Sequence, residues 1–356
     1  MSNIFKIIPL QESQCWDEII KSFRQFDVYY LSGYVKAFKT HGDGEPILIY
    51  YDTECLKGVT VMMKRDIADE SFFSDKIPRN FLFDLVSPYG YGGFIFDGEV
   101  NEENISVFYK QYINLLKSEN IVSSFVRYHP MLQNADYLRS VEDIIDLGKT
   151  IHIDLTSKDT IWTNTTSKNR NVIRKAKKSG VTIHHGKNME LFDHFMNIYN
   201  QTMSHNGADN YYYFERSFYE SIHNDLHDNY EIFFALYQDI IIAMSIILYA
   251  NNQMHYHLSG SLYEYRKLAP TNLLLYEAAL WGHDQGFKSF HLGGGIGSAK
   301  DGLFDFKQSF NRYSANQFSI GKLIVMKDKY NELVEMREKA DNNFYKKSSF
   351  FPLYRA

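Results

Sequence analysis

The segment from His255 to Phe310 constrains this chain more than any other. It reads as a strand over residues 254–259, a break at Gly260-Ser261, and a loop as far as Pro270. A helix is entered at Thr271, a short strand follows over residues 288–292, and the backbone then meets Gly293-Gly294-Gly295. Pro270 with Thr271 or Asn272 as N-cap marks the helix start, Leu273, Leu274, Tyr276, Ala279 and Leu280 supply its apolar face, and Gly286 ends it. Three successive glycines let the chain turn where side chains would clash. They do not make a phosphate loop: the lysine spacing is missing and no clear helix follows, which excludes an ATP or NAD site of that kind. The helix start at Thr271 is the better anion site, because its free N–H groups and dipole favour a phosphate.

The rest of the chain repeats this plan. Helices over residues 12–24 and 33–40 precede a strand pair, 46–51 and 57–65, and a third strand over 80–86. The glycine-rich loop Ser87-Pro88-Tyr89-Gly90-Tyr91-Gly92-Gly93 follows, then a helix over 101–117 and a strand over 121–128. In the second half, helices over 160–179, 189–203 and 215–226 precede strands over 230–237 and 240–249, with Gln238-Asp239 as a tight hairpin turn. No residue-level repeat accompanies this order, so the duplication is one of architecture.

At 356 residues the chain is long enough for two domains of ordinary size. Its 23% charged and 44% hydrophobic residues are those of a globular protein. The net charge of -5 argues against a general nucleic-acid binder, leaving a local basic patch open. Two cysteines, Cys15 and Cys55, in no metal or redox spacing fit a reducing cytoplasm, where the protein is expected. Residues 1–10 lack the basic and apolar regions of a signal peptide, and the longest apolar run, 240–250, is too short to span a bilayer, so no stable membrane insertion is expected. Aromatic residues reach 16%, which reads first as codon bias and second as a groove lined with rings.

Six basic residues fall between Lys168 and Lys178, and on a helix Arg170, Arg174 and Lys178 share a face, with Val172, Ile173 and Ala176 turned to the core. No acid interleaves them, and arginine suits bidentate phosphate contacts. In the Ser87–Gly93 loop, glycine backbone can approach a ligand while Tyr89 and Tyr91 stack or donate; a purely structural turn is the alternative. His255 and His257 alternate along a strand, but no cysteine or carboxylate nearby in sequence completes a metal site, so no metal is expected.

Taken in order, Gly260-Ser261, Leu268-Ala269-Pro270 with its helix, Gly294-Gly295, Phe306-Lys307 with Phe310-Asn311, the Ser167–Ala176 segment and the Ser87–Gly93 loop resemble the FemAB-type branch of the GNAT-like acyltransferases. Members of that branch add amino acids from aminoacyl-tRNA to peptidoglycan precursors. The resemblance implies an α+β fold of two tandem GNAT-like domains, each a mixed sheet flanked by helices, over residues 1–150 and 151–314, with the tail 315–356 packing back on the first. It implies Phe306 and Lys307 at the reacting ester, Lys307 stabilising charge on its carbonyl oxygen. It also implies Arg170 and Arg174 on a substrate pyrophosphate and Tyr256 near the acceptor, although Leu258 stands where relatives carry a second aromatic. The expected activity is aminoacyl transfer from aminoacyl-tRNA to an amine of a nucleotide- or lipid-linked cell-envelope precursor, with no permanently bound cofactor. The alternatives are an acyl-CoA or acyl-carrier-protein dependent N-acyltransferase acting on a nucleotide-linked sugar, and a non-catalytic binding protein. The loop before Pro270, Tyr265-Arg266-Lys267-Leu268-Ala269, contains no glycine, which departs from a typical CoA site.

Overall fold

The computed structural model describes residues 4–341 and 343–356, so the first three residues of the 1–10 segment lie outside it. The chain divides into two compact units, Met1–Leu147 with Phe318–Ala356, and Gly148–Gln317. The first begins with β1 (Phe5–Pro9), α1 (Ser13–Ser22), α2 (Ser32–His41), β2 (Glu45–Asp52) and β3 (Leu56–Asp66). It continues through β4 (Phe83–Val86), β5 (Ile95–Gly98), α3 (Glu102–Ser118) and β6 (Ile121–Arg127). After β7 (Ile144–Asp154) come α4 (Lys158–Asn164), α5 (Ser167–Lys178), β8 (Thr182–Gly186), α6 (Met189–His205) and α7 (Arg216–Asp225). Next are β9 (Tyr230–Tyr237), β10 (Ile240–Ala250), β11 (Gln253–Ser261), α8 (Pro270–Asp284), β12 (Ser289–Gly293) and α9 (Gly302–Gln308). β13 (Asn316–Ile324) and α10 (Lys327–Ala340) follow.

The two sheets are built to one plan. In the first unit the order is β1-β2-β3-β4-β6-β13, with β5 beside β3; in the second it is β8-β9-β10-β11-β12-β7. Each is antiparallel except at one pair, β4 with β6 and β11 with β12. A parallel neighbour cannot be reached by a hairpin, and the helices α3 and α8 supply the crossovers. Each sheet then gains an antiparallel strand from elsewhere in the chain: β13 on β6, and β7 on β12. Both units are therefore α+β, mixed sheets flanked by helices.

Local chemistry explains where the elements start and stop. Gln238 and Asp239 adopt φ of 49° and 61°, the left-handed pair that a two-residue hairpin between β9 and β10 requires. The single helix expected over residues 160–179 is two helices. Thr165 turns its hydroxyl back onto the Ile161 carbonyl at 2.8 Å, and Thr166 caps α5 by accepting from the Asn169 N–H at 3.3 Å. Such side chains offer the backbone an alternative to a continuous helix. On α5 the buried residues are Asn169, Ile173 and Ala176, with Val172 only half-buried, a correction to the expected inward face.

α8 corrects two further expectations. Its N-cap is Ala269, held at φ 51°, with Pro270 as the first helical residue, and neither Thr271 nor Asn272 caps it. Its buried surface includes Leu275, Ala278 and Gly282, while Tyr276 and Leu280 are half-buried. The helix is covered on more than one stripe because Leu274, Leu275, Ala278 and Ala279 pack into a cluster with Ile153, Phe233, Ile247, Met254, Phe290, Leu292 and Phe310. In the first unit the buried carboxylate of Asp84 accepts from Arg65 at 2.7 Å and from Arg355 at 2.6 Å. Tyr354 adds a third bond at 3.0 Å, fastening the C-terminal segment to β4. Among the described residues no helix is long and apolar enough to cross a membrane.

Candidate active site

The parallel pairing of β11 with β12 runs only from Gln253↔Ser289 to His255↔His291, after which β11 continues to Ser261 without that partner. His255 and His291 are buried at this last rung, their rings 5.6 Å apart. Burial, reinforced by His255, pushes His257 down to about 3, so it is neutral at physiological pH. Tyr256 lies on the other side of the strand and packs, with Phe306, against the α8 cluster. Gly260 explains itself by contact: a Cβ there would lie 2.8 Å from the Tyr199 Cα of α6. The adjacent Ser261 N–H donates to the Thr202 hydroxyl at 2.9 Å, which pins α6 to the end of β11.

Past β12 the glycines do what the sequence implied. Gly293 takes φ 79°, and a Cβ on Gly294 would sit 2.8 Å from the Lys149 carbonyl oxygen. The sequence gives no clear sign of a helix after this turn, yet the chain forms one, α9, capped by Asp301. One Asp301 oxygen accepts from the Phe304 N–H at 2.8 Å and the other from the Ile296 N–H at 3.0 Å, so a single carboxylate closes both the turn and the helix start. Those backbone donors hold its carboxyl below the usual range. The signal was present as Asp301 three residues before Phe304, but a seven-residue helix is too short to display an apolar period.

α9 turns Lys307 inward. Its side chain is buried, and Nζ donates to the Gly294 carbonyl at 2.7 Å. Burial lowers its amine to about 8, against the opposing pull of the Asp301 charge. Phe306 meets Phe310 edge-on at 5.4 Å. Asn311 is buried and donates to the His152 carbonyl at 3.0 Å, fixing the exit from α9 to β7. His152 in turn is held by Ser314 and Asn316, each 3.0 Å from Nδ1. These supports were not legible because they join residues far apart in sequence.

The basic helix divides its labour. Arg170 points back at α4, donating to the Trp162 carbonyl at 3.2 Å, the Thr165 carbonyl at 3.1 Å and the Ser167 hydroxyl at 3.1 Å. It therefore satisfies carbonyls that the end of α4 leaves open. Arg174 lies over the Trp162 ring at 4.9 Å and reaches Asn171 at 3.2 Å. Lys177 pairs with Glu277 at 2.6 Å. Lys168, Lys175 and Lys178 are exposed.

Tyr89 and Tyr91 lie in the first unit, each partly buried. Tyr89 stacks on Phe38 at 5.4 Å, and its carbonyl accepts from the Tyr34 hydroxyl at 2.6 Å. Tyr91 meets Tyr29 at 5.6 Å and His129 at 5.4 Å, and burial raises its hydroxyl above the ordinary value. Arg127 grips the Ser87 and Pro88 carbonyls, each at 2.9 Å, and Asn134 grips those of Gly92 and Phe94. The loop is thus built into the unit's own packing. Beside it lies a buried pair that sequence reading missed, His129 Nε2 3.2 Å from Asp27 Oδ2.

Residues 164–308 match the acetyltransferase (GNAT) domain family. Over the whole chain the fold is similar to the crystal structure of FemX, at 15% sequence identity and a TM-score of 0.66, covering 92% of this chain and 99% of that one. The chain has the FemAB-type fold and carries a GNAT acyltransferase domain. The C-terminal domain of a putative lysylphosphatidylglycerol synthetase from Agrobacterium fabrum is also similar, at 12% identity and a TM-score of 0.55, covering 88% of this chain and 90% of that chain. A conserved protein of unknown function from Bacteroides thetaiotaomicron has a TM-score of 0.59 at 10% identity, over 90% of this chain and 99% of that one. No curated protein matches the sequence. Within the GNAT domain fall Arg170, Arg174, Tyr256, Phe306 and Lys307.

Proposed function

We propose that the protein transfers an aminoacyl group from aminoacyl-tRNA to an amine of a nucleotide- or lipid-linked cell-envelope precursor in the cytoplasm. The observation that carries this reading is the Lys307 ammonium, buried beside the triple-glycine turn with one N–H spent on Gly294. Its other two donors are left for a second acceptor. In the reaction, the acceptor nitrogen attacks the ester carbonyl carbon and the carbonyl π electrons move onto oxygen. The C–O bond to the tRNA ribose then breaks, an amide forms, and the amine's proton ends on the ribose oxygen. Lys307 donates to the oxyanion that exists only between those steps, so its contribution falls on the transition state. No enzyme nucleophile is required: Cys15 and Cys55 both lie outside the GNAT domain.

The donor is read from the loop between β11 and α8. The Tyr265 and Ala269 N–H groups are spent on the Leu262 and Arg266 carbonyls at 3.1 and 3.0 Å, and Pro270 has no N–H. With those donors spent, the loop itself offers the pyrophosphate of CoA little beyond the N–H groups of the first turn of α8, where a row of free backbone donors would hold it better. The α5 face, with Arg174 held over Trp162 and the exposed Lys168, Lys175 and Lys178, suits the diphosphate of the acceptor. Tyr256 is assigned to the acceptor as well. The FemAB resemblance and a fold neighbour named for a lysyl-modified lipid support the aminoacyl class.

The test incubates the purified protein and a uridine-diphosphate-linked muramyl peptide with aminoacyl-tRNA or acyl-CoA, and reads products by mass spectrometry. An increment of one amino-acid residue with aminoacyl-tRNA is expected. Transfer from acyl-CoA alone would refute the donor. Acceptor binding with no transfer from either donor would refute the enzyme.

A further inference from the structure

A polar cleft of about 890 Å³ lies in the second unit, lined by none of the residues assigned above to the transfer reaction. One wall is the C-terminal half of α6, with Asn197, Asn200 and Gln201; the other is the chain just past β11, with Ser261, Tyr263 and Arg266. The walls are fixed to each other by the Gly260 approach to Tyr199 and the Ser261–Thr202 hydrogen bond. Two contacts to the Tyr263 ring add to this: the His205 ring lies 4.1 Å from it at a tilt of 39°, and the Arg266 guanidinium carbon lies 3.6 Å from its centroid.

Two features of the lining ask for a ligand. The Arg266 guanidinium lies against the Tyr263 ring, yet among the described residues its N–H groups make no hydrogen bond or ion pair. A planar fork held ready in this way matches a carboxylate or a phosphate. The Asn200 side-chain carbonyl is buried and has no donor in the protein. A buried acceptor left so is costly, and a ligand N–H or O–H would relieve it. Apart from Glu264 and Arg266 the lining consists of amide, hydroxyl and ring groups.

We propose that this cleft binds a molecule carrying one anionic group on an uncharged, amide- or hydroxyl-rich body, with the anion on Arg266 and a donor of the body on Asn200. The site stands apart from the aminoacyl reading, and its test reads binding alone. The probes share one acetamido sugar: N-acetylglucosamine, its 1-phosphate, and N-acetylmuramic acid, which adds a carboxylate. Titration calorimetry on the whole chain should show at least one anionic probe binding about tenfold or more tighter than the neutral sugar, the factor of one charge-assisted fork. The tighter of the two names the anion. Arg266→Gln should erase the preference with an unchanged melting temperature, and Arg266→Lys should keep part of it. Asn200→Ala should weaken all the probes that bind. Glu264→Gln should leave the preference in place. Equal affinities for the three probes, no saturable binding at tens of millimolar, or a preference that survives Arg266→Gln would overturn the site.

Discussion

Lys307→Met separates what the side chain does for turnover from what it does to stability, and the two should move in opposite directions. Burial takes the amine from 10.5 to about 8, which corresponds to roughly 3 kcal/mol by which the folded protein disfavours the charge. Between those values the unfolded chain binds more protons than the folded one, so stability rises with pH there, and the penalty is fully present below about 8. Methionine keeps the bulk of the stem and removes the charge, at the loss of the bond to Gly294, worth about 1 kcal/mol. The variant should therefore be up to about 2 kcal/mol more stable at pH 7, an advantage gone by about pH 10.5. Turnover should fall on the order of 10²–10³-fold with KM little changed, since the lost donor acts on the oxyanion. The assays are urea unfolding at pH 7 and 10.5, and transfer kinetics with aminoacyl-tRNA. Wild-type kcat should also decline as pH rises through about 8, as the ammonium is lost, and Lys307→Arg should shift that limb upward. A methionine variant that turns over normally and is less stable at pH 7 would show Lys307 to be a structural residue.

Five other substitutions test the surrounding architecture. Gly260→Ala drives a Cβ against α6 backbone and should cost about 1–3 kcal/mol in urea unfolding. Asp301→Ala removes the cap shared by the turn and α9; about 1 kcal/mol of stability should go, with a larger fall in kcat than in acceptor affinity measured by calorimetry. Arg174→Ala should weaken a diphosphate-bearing acceptor by about 1.5–3 kcal/mol in the same assay, whereas Arg170→Ala should lower the melting temperature too, through the exposed end of α4. Asp84→Ala leaves Arg65 and Arg355 without their shared carboxylate and should destabilise the protein by about 3–5 kcal/mol; a loss under 1 kcal/mol would mean the cluster is solvated.

The parts of this fold legible in sequence are those written in neighbouring residues. Gln238-Asp239 announced its hairpin, Gly286 ended α8, and the order of strand, glycine break, helix and strand gave both the crossover and the family resemblance. Reading failed where a local signal competes with tertiary contacts. Thr165 and Thr166 look like ordinary interior residues of one helix, until their hydroxyls are seen bonding the backbone on either side of a break. Arg170 shares a face with Arg174 by spacing, yet its carbonyl partners two turns back give it a structural task that spacing cannot show. Lys307 stands out through the family motif alone; its burial depends on α9, whose seven residues are too few for periodicity. The strands β7, β8 and β13 are not legible as strands because most of their residues are half-exposed or exposed and carry no continuous apolar run.

That β13 completes the sheet begun by β1 to β6 has a consequence for synthesis. On the ribosome β6 emerges long before Ile320 to Ile324, which are to pair with it, while the entire second unit is still being translated. At ordinary elongation rates the wait is on the order of ten seconds or more, with one edge of the nascent sheet presenting unpaired N–H and C=O groups. Such an edge is a template for wrong partners, including neighbouring nascent chains. The first half is thus topologically a preparation rather than a finished domain, and its release from chaperone protection should coincide with the arrival of the last strand.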